Sequence, residues 1–469
     1  MNVALERSIV RPVPHRADAA TLCAIFTVVL MLVPARQVIG GLPFDLTYAE
    51  AIGLFAAVWW FCAHLTSTLG AAKGPSAVRY AIYFYALAFL ATYAYASAGW
   101  LPSYEQDLSD HVLVIAVAMV GIALIGVDGV PSRERIDLVL KTLVVVGAIM
   151  GVIGAIQFLL SFDVTQYMQI PGSRLRAVEV TILERNGLNR VASTAGHPIE
   201  FGVVSAMVLP VALHYAFGAR ERGEPQRRWW TLVALIACGM AFSASRSTVL
   251  GLAASGAVLF LGWPNARRVR AAVALAGFLV VMKLLVPGLI GAIAGLFTNL
   301  DNDESLRWRT NDYTTAIAEF SQHPLLGRGN GTWFPPHHPV FDNQYLLTAV
   351  QGGAIGVLAF VGLFVVGMWS AVRVRSISGD DRTRDLGLTL AACLIVPMVG
   401  SATFDLNSFS TATALSFLLI GLAGALMRAA RREAGLPGAG TLKEPPRREV
   451  SPPVAAVPLS TSRPPDPAR

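Results

Sequence analysis

Arg246 is wedged between two apolar runs, Trp229 to Ala244 and Ser247 to Trp263. Each is long enough, or nearly so, to cross a hydrocarbon core of about 30 Å. The link between them is little more than Ser243-Ala244-Ser245-Arg246-Ser247, so the guanidinium lies at or just inside a membrane surface. Arginine is disfavoured by roughly 2.5–3.5 kcal/mol at mid-span and by less near the ends. Its planar fork grips phosphate oxygens in pairs, so arginines gathered at one membrane face suit an anionic ligand. Which face Arg246 occupies decides whether it is an ordinary anchor or part of a site.

The elements that hold it follow from hydropathy. Apolar residues make up 54% of the chain and charged residues 14%, which excludes an ordinary soluble domain. Apolar runs near 20–38, 47–66, 78–98, 111–128, 138–161, 199–217, 229–244, 247–263, 269–290, 343–370, 386–404 and 408–428 predict about twelve transmembrane helices and an all-α polytopic fold. The expected organisation is a cytoplasmic segment 1–19, a membrane domain 20–428 with extracytoplasmic loops 162–198 and 291–342, and a disordered Pro-, Ala- and Arg-rich cytoplasmic tail 429–469. The basic start leads into Ala20–Val33 with no clean Ala-x-Ala site, so no cleavable signal peptide is expected. Cys23, Cys62, Cys238 and Cys393 all lie in apolar runs without a CxxC pair, which gives neither a zinc site nor a disulfide framework.

With both termini cytoplasmic, the inside loops Lys73–Arg79, Arg133–Arg135, Arg220–Arg228, Arg267–Arg270 and Arg373–Arg384 and the stretch Arg428–Arg432 are all basic. The outside segments 99–110 and 405–407 carry no Lys or Arg. The net charge of +7 is therefore a property of membrane topology and does not imply nucleic acid. Arg36 and Lys283 run against the alternation and can snorkel to headgroups. Arg174, Arg176, Arg185, Arg190, Arg246, Arg307, Arg309 and Arg328 then stand outside as exceptions. Long loops translocate whatever their charge, which accounts for scattered arginines but least well for the short turn at Arg246.

Four segments align on that outer face. The first runs from Asn189-Arg190 to His197-Pro198-Ile199-Glu200-Phe201-Gly202, and the second is the Arg246 turn. The third runs from Arg309 through Tyr313 and Ala316 to His323-Pro324-Leu325-Leu326-Gly327-Arg328-Gly329. The fourth is Asp342-Asn343-Gln344-Tyr345-Leu346 followed by Gly353-Ala354-Ile355-Gly356. In their order and sidedness these motifs resemble the O-antigen ligase and O-antigen polymerase family over roughly residues 185–365.

The resemblance implies a glycosyltransferase of the bacterial inner membrane that uses polyprenyl-diphosphate-linked sugars, with no cofactor and no metal. The glycan would pass from the lipid carrier to a hydroxyl of an acceptor glycan, lipid or protein. Membrane lipids and a polysaccharide assembly complex are the further expected partners. Fixed cations aimed at a diphosphate leaving group stabilise its growing charge; Arg246 and Arg309 are the first candidates and Arg190 the next. The acceptor hydroxyl needs a base, for which Asp342 and Glu200, both at outer helix starts, are candidates. His197, His323 and Tyr345 are supporting residues. Ligases that glycosylate the lipid A core carry His where this chain has Asp342, which tilts the expectation towards polymerisation. Tyr313 stands where relatives have Trp.

Each assignment has a plainer alternative. Asp342 also suits a helix cap, and Glu200 complements a helix dipole. Gly353 and Gly356 suit close helix packing, and His337-His338 lacks a carboxylate at metal-ligand spacing. Tyr313, Ala316, Ile317 and Phe320 recur at helical spacing and predict a short helix over Arg309–Ser321. A flippase of lipid-linked sugars is the rival class, but it would want charges near mid-membrane and an internal repeat. Neither is visible.

Overall fold

The computed structural model describes residues 18–66, 74–99, 101–176, 182–185, 188–298 and 304–436; the side chains of 184, 185, 188, 292, 296–298 and 304–311 lie outside the description. The chain is mostly helical, and each of the twelve apolar runs coincides with a helix. Among the described residues, eight helices are long and apolar enough to cross a membrane. They are α2 (Tyr48–Leu65), α3 (Ala77–Ala98), α4 (Ser103–Gly129), α5 (Arg133–Leu160), α6 (Pro198–Gly218), α12 (Gln344–Ile377), α13 (Asp381–Gly400) and α14 (Ser410–Glu433). A ninth candidate, α9 (Asn265–Leu285) with α10 (Leu289–Thr298), bends by 116° beside Pro287. α1 (Ala19–Leu32), α7 (Gln226–Phe242) and α8 (Arg246–Gly262) are shorter, at 14, 17 and 17 residues. Twelve full spans are therefore not reached: hydropathy places the helices, but it does not make each of them long enough.

Burial sorts the bundle. The apolar windows of α14 and α6 are 89% and 83% buried, against 28% for α2 and α3. α14 packs on α4, α12 and α13, and α6 on α7, α8 and α13. Residues that are apolar all round a helix belong in such central positions. Pro210 and Pro397 sit inside α6 and α13, as helices with neighbours to satisfy freed carbonyls tolerate. α14 continues to Glu433, past the expected boundary at 428.

Two small antiparallel ribbons interrupt the helices. β1 (Gln37–Ile39) pairs with β2 (Ser173–Leu175), and β3 (Ile182–Arg185) forms a hairpin with β4 (Leu188–Val191), opposing Leu183 to Arg190. Both belong to one end of the bundle. The basic segments meet at the other end, where Arg79 and Arg428 converge on Asp128, Lys141 pairs with Glu224, and Arg382 pairs with Glu221.

Candidate functional site

The segment 401–411, between α13 and α14, is the point where the site-bearing pieces meet. Thr403 Oγ1 donates to Ser247 Oγ at 2.8 Å, which ties it to the residue after Arg246. Gln344 N donates to Ser401 O at 2.8 Å, and Asn407 N donates to Gln344 Oε1 at 2.7 Å, which ties it to the start of α12. Thr411 N and Ala412 N donate to Glu200 Oε1 at 2.6 and 3.3 Å, which ties it to α6. Motifs separated by some 200 residues thus share one platform.

Arg246 is the first residue of α8. Its turn is drawn in tightly because residue 202 is glycine: a Cβ at Gly202 would overlap Ser243 Oγ and Thr248 Oγ1. Arg190, on β4, donates from Nε to Ser243 O at 3.3 Å, so the structure brings the Arg190 hairpin onto the Arg246 turn. His197 is the N-cap of α6, its Nδ1 accepting from Ile199 N, and its ring stacks on Phe409 at 5.7 Å. Burial, helped by the charge of Arg190, lowers the His197 pKa to about 4. A neutral imidazole is what a cap that accepts a hydrogen bond requires.

Glu200 is 1% exposed. Its Oε2 accepts from Gly196 N at 2.8 Å while Oε1 takes the first N–H groups of α14. Both oxygens are therefore engaged by backbone, which is the structural alternative for this residue rather than the posture of a base.

The third motif has two parts. Its helix, α11, spans Glu304–Gln322, longer than expected. The side chains of Arg307 and Arg309 lie outside the described residues. Ala316 is buried with Trp333, Phe341, Leu347 and Val350, which seats α11 on the first turns of α12, whereas Tyr313 and Ile317 are 51% and 66% exposed and do not form the expected apolar face. The turn that follows inserts into a break in α12. At Gly353 the backbone takes φ 62° and ψ −163°. Arg328 N and Gly329 N donate to the freed carbonyls of Val350 and Gln351 at 2.9 Å, and Ala354 N and Ile355 N donate to Pro324 O and Leu325 O at 2.9 and 3.1 Å. Any Cβ at Gly353 would overlap the Leu325 carbonyl. Gly353 therefore serves a broken helix and not, as expected, close helix packing; irregular backbone at such depth must be satisfied by other protein groups.

Asp342 is exposed and does not cap α12. Asn343 does, its Oδ1 accepting from Tyr345 N and Leu346 N. The capping alternative for Asp342 is thereby removed. Asp342 instead lies near a second acid, Asp405. One Asp405 oxygen accepts from Ser408 Oγ; the other, Oδ1, is buried without a hydrogen bond among the described residues. Burial, with the charge of Asp342 adding to it, raises the Asp405 carboxyl above its ordinary 3.8. Burial and a neighbouring like charge both favour the protonated form of a carboxyl.

Other residues at this end of the bundle are committed elsewhere. Arg328 binds Glu105 at 2.8 Å, and His338 Nε2 lies 3.3 Å from the same oxygen, so Arg328 clasps the loop to α4. Arg174 and Arg176 pair with Asp45 at 2.8 and 3.3 Å. His323 Nδ1 lies 3.5 Å from Tyr95 Oη, and Tyr345 Oη donates to Met398 O at 2.5 Å, binding α12 to α13. Arg185 has its side chain outside the described residues. Among the described residues no group of three or more His, Cys, Asp or Glu is placed to hold a metal ion.

Residues 231–361 match the family model described as O-antigen ligase. The match supports an O-antigen ligase/polymerase family assignment for that stretch. No curated protein matches the chain. The matched segment carries Arg246, Arg309, His323, Asp342 and Tyr345 together with the broken helix at Gly353. Arg190, His197, Glu200 and Asp405 lie outside it and reach it only through the fold. Asp405 is the residue that sequence reasoning missed. Its one signal was position, an acid on an outer segment devoid of Lys and Arg.

Proposed function

We propose that the protein transfers a glycan from a polyprenyl diphosphate to an acceptor hydroxyl at the outer face of the membrane, extending lipid-linked repeats into a surface or secreted polysaccharide. The observation that carries this reading is the shared platform. The Arg190 hairpin and the Arg246 turn, through Ser243 and Ser247, meet the segment that holds Asp405 near Asp342. Cations for a leaving diphosphate and carboxylates for an incoming hydroxyl are thus assembled on one end of the bundle. The distribution of arginine among the loops supports placing that end outside.

In the reaction the acceptor oxygen attacks the anomeric carbon and the bond from that carbon to the phosphate oxygen breaks. The lipid diphosphate leaves with the electron pair, held by Arg246, Arg190 and, from α11, Arg309. The hydroxyl proton passes to the Asp342–Asp405 pair, in which Asp342 is exposed enough to meet the acceptor. A carboxylate is a weak base near neutral pH unless its pKa is raised, which is the role we give to the apposition of the two acids. Glu200, His197, His323 and Tyr345 position these groups.

Ligation of finished glycan to an acceptor lipid is the second reading, favoured by the family description; Asp342 in place of His favours polymerisation. The test is purified protein in vesicles with a synthetic polyprenyl-diphosphate oligosaccharide. Release of polyprenyl diphosphate with a ladder of longer lipid-linked chains supports polymerisation. Release only when a lipid acceptor is added supports ligation. No release under either condition refutes both.

A further inference from the structure

The far end of the bundle, opposite Arg246, contains a groove that the transfer reaction does not use. It lies between the end of α6, the start of α7 and the first turns of α9, is lined by Phe217, Gln226, Trp230, Arg270, Val273 and Ala274 among others, and holds about 350 Å³. That volume is in the range of small-molecule pockets. Its chemistry is graded. Gln226 opens α7 and Arg270 lies in the second turn of α9, while Trp230, Val273 and Ala274 lie about one turn deeper on the same helices. A polar mouth above an apolar floor is the profile of a lipid headgroup above its chain.

Two independent features point to the occupant. First, α9 is barely packed: Met282 is its one buried residue, and Val269, Val273, Leu275 and Leu284 are 62%, 66%, 51% and 74% exposed. α9 is fixed at its start by the Arg267–Asp385 ion pair and by Arg267 lying 5.0 Å over Phe217 and 5.5 Å over Trp263. Near its other end Met282 packs on Cys238 in the core, and the exposed apolar stretch between the two anchors leaves a gap suited to something apolar. Second, the mouth is cationic. Arg227, Arg228 and Arg270 are exposed around it, and Arg270 lies 5.7 Å over the Phe217 ring, while the nearby acids Asp385 and Glu224 are already paired with Arg267 and His214 and with Lys141 and Arg222. Arginine beside tryptophan at one depth is the pattern of a membrane interface, where basic residues draw anionic headgroups.

We propose that this groove binds one anionic diacyl phospholipid, its phosphate against Arg270 and one acyl chain along Trp230, Val273 and Ala274, and that this lipid docks α9 to the rest of the bundle. The site is remote from the transfer chemistry and does not depend on it.

The test is native mass spectrometry of the full-length, delipidated protein titrated with phosphatidylglycerol or phosphatidylcholine. The first phosphatidylglycerol should bind about fivefold or more tighter than the first phosphatidylcholine. Arg270→Gln, on an exposed side chain, should abolish that preference. Ala274→Trp, which fills the groove from an exposed position, should weaken the first addition of both lipids. Arg384→Gln, an exposed arginine on α13 outside the groove lining, should change neither. Equal affinity for the two lipids in the unaltered protein overturns the proposal. So does an unchanged preference in Arg270→Gln, unchanged first-lipid affinity in Ala274→Trp, or an equal loss of preference in Arg384→Gln.

Discussion

The two ends of the bundle treat their charges differently. At the far end acids meet bases: Asp128 takes Arg79 at 3.0 Å, Asp385 takes His214 at 2.6 Å and also Arg267, Asp137 takes Arg133, and Glu224 takes Lys141 at 2.7 Å. All but the Arg133–Asp137 pair, which lies within α5, join separate segments of the chain, and a partner removed from one would leave an uncompensated charge. At the site end Glu105 takes Arg328 and Asp45 takes Arg174 and Arg176 in the same way, but Glu200 is absorbed by backbone N–H groups, and Asp405 sits near the like charge of Asp342 with its buried Oδ1 unbonded among the described residues. Folding alone disfavours that second arrangement. The contrast teaches that a count of arginines does not locate a site, whereas carboxylates kept away from cations do.

The sharpest way to break the contrast is Asp342→Asn. Turnover should fall by about 10²–10⁴-fold, the usual loss with a general base. The amount and melting temperature of the protein should hold, because Asn343 supplies the cap. If turnover survives but Asp405→Asn abolishes it, Asp405 is the proton acceptor. In that case Asp342→Asn should still move the pH profile: with the like charge gone, the Asp405 carboxyl ionises at lower pH and the acid limb of activity shifts down.

Glu200→Ala should act on stability instead. It leaves the N–H groups of Gly196, Thr411 and Ala412 without their acceptor, at about 1–3 kcal/mol for each that stays dry. A lower melting temperature and less protein in the membrane are expected, and an unchanged melting temperature would show that Glu200 is not the knot described.

A smaller effect concerns His197. Its pKa of about 4 lies below the ordinary 6.5 of the unfolded chain, so between these values the unfolded state binds more protons. The stabilisation is present above about 6.5 and is lost as pH falls towards about 4. His197→Asn, which keeps a capping side chain, should flatten the melting temperature over that window.

Much of the fold was legible because a membrane demands long apolar runs and asymmetric loop charge, and both are local properties of the chain. The lengths of α1, α7 and α8 were not, since the turns that end them depend on packing, as at Gly202 against Ser243 and Thr248. The break at Gly353 was hidden because Gly-Gly in an apolar run also reads as a packing face; only the insertion of residues 324–329 distinguishes the two. Arg328 stood only as an exception to the loop-charge pattern, and its partner Glu105, 223 residues away, is invisible to spacing. Asp342 looked like a cap because the helix starts one residue later than its composition suggests. Asp405 could not be found from spacing: its neighbour, Asp342, lies in a different connecting segment, just before α12.

The central claim is that guanidinium groups on the Arg246 platform hold a lipid diphosphate as it leaves. It is tested most directly by the rate of polyprenyl diphosphate release from a synthetic donor by Arg246→Ala in vesicles, at protein levels matched to the unaltered enzyme. Loss of at least about 10²-fold, the scale of removing one preorganised donor to transition-state charge, is the predicted result. Release at the unaltered rate would contradict it.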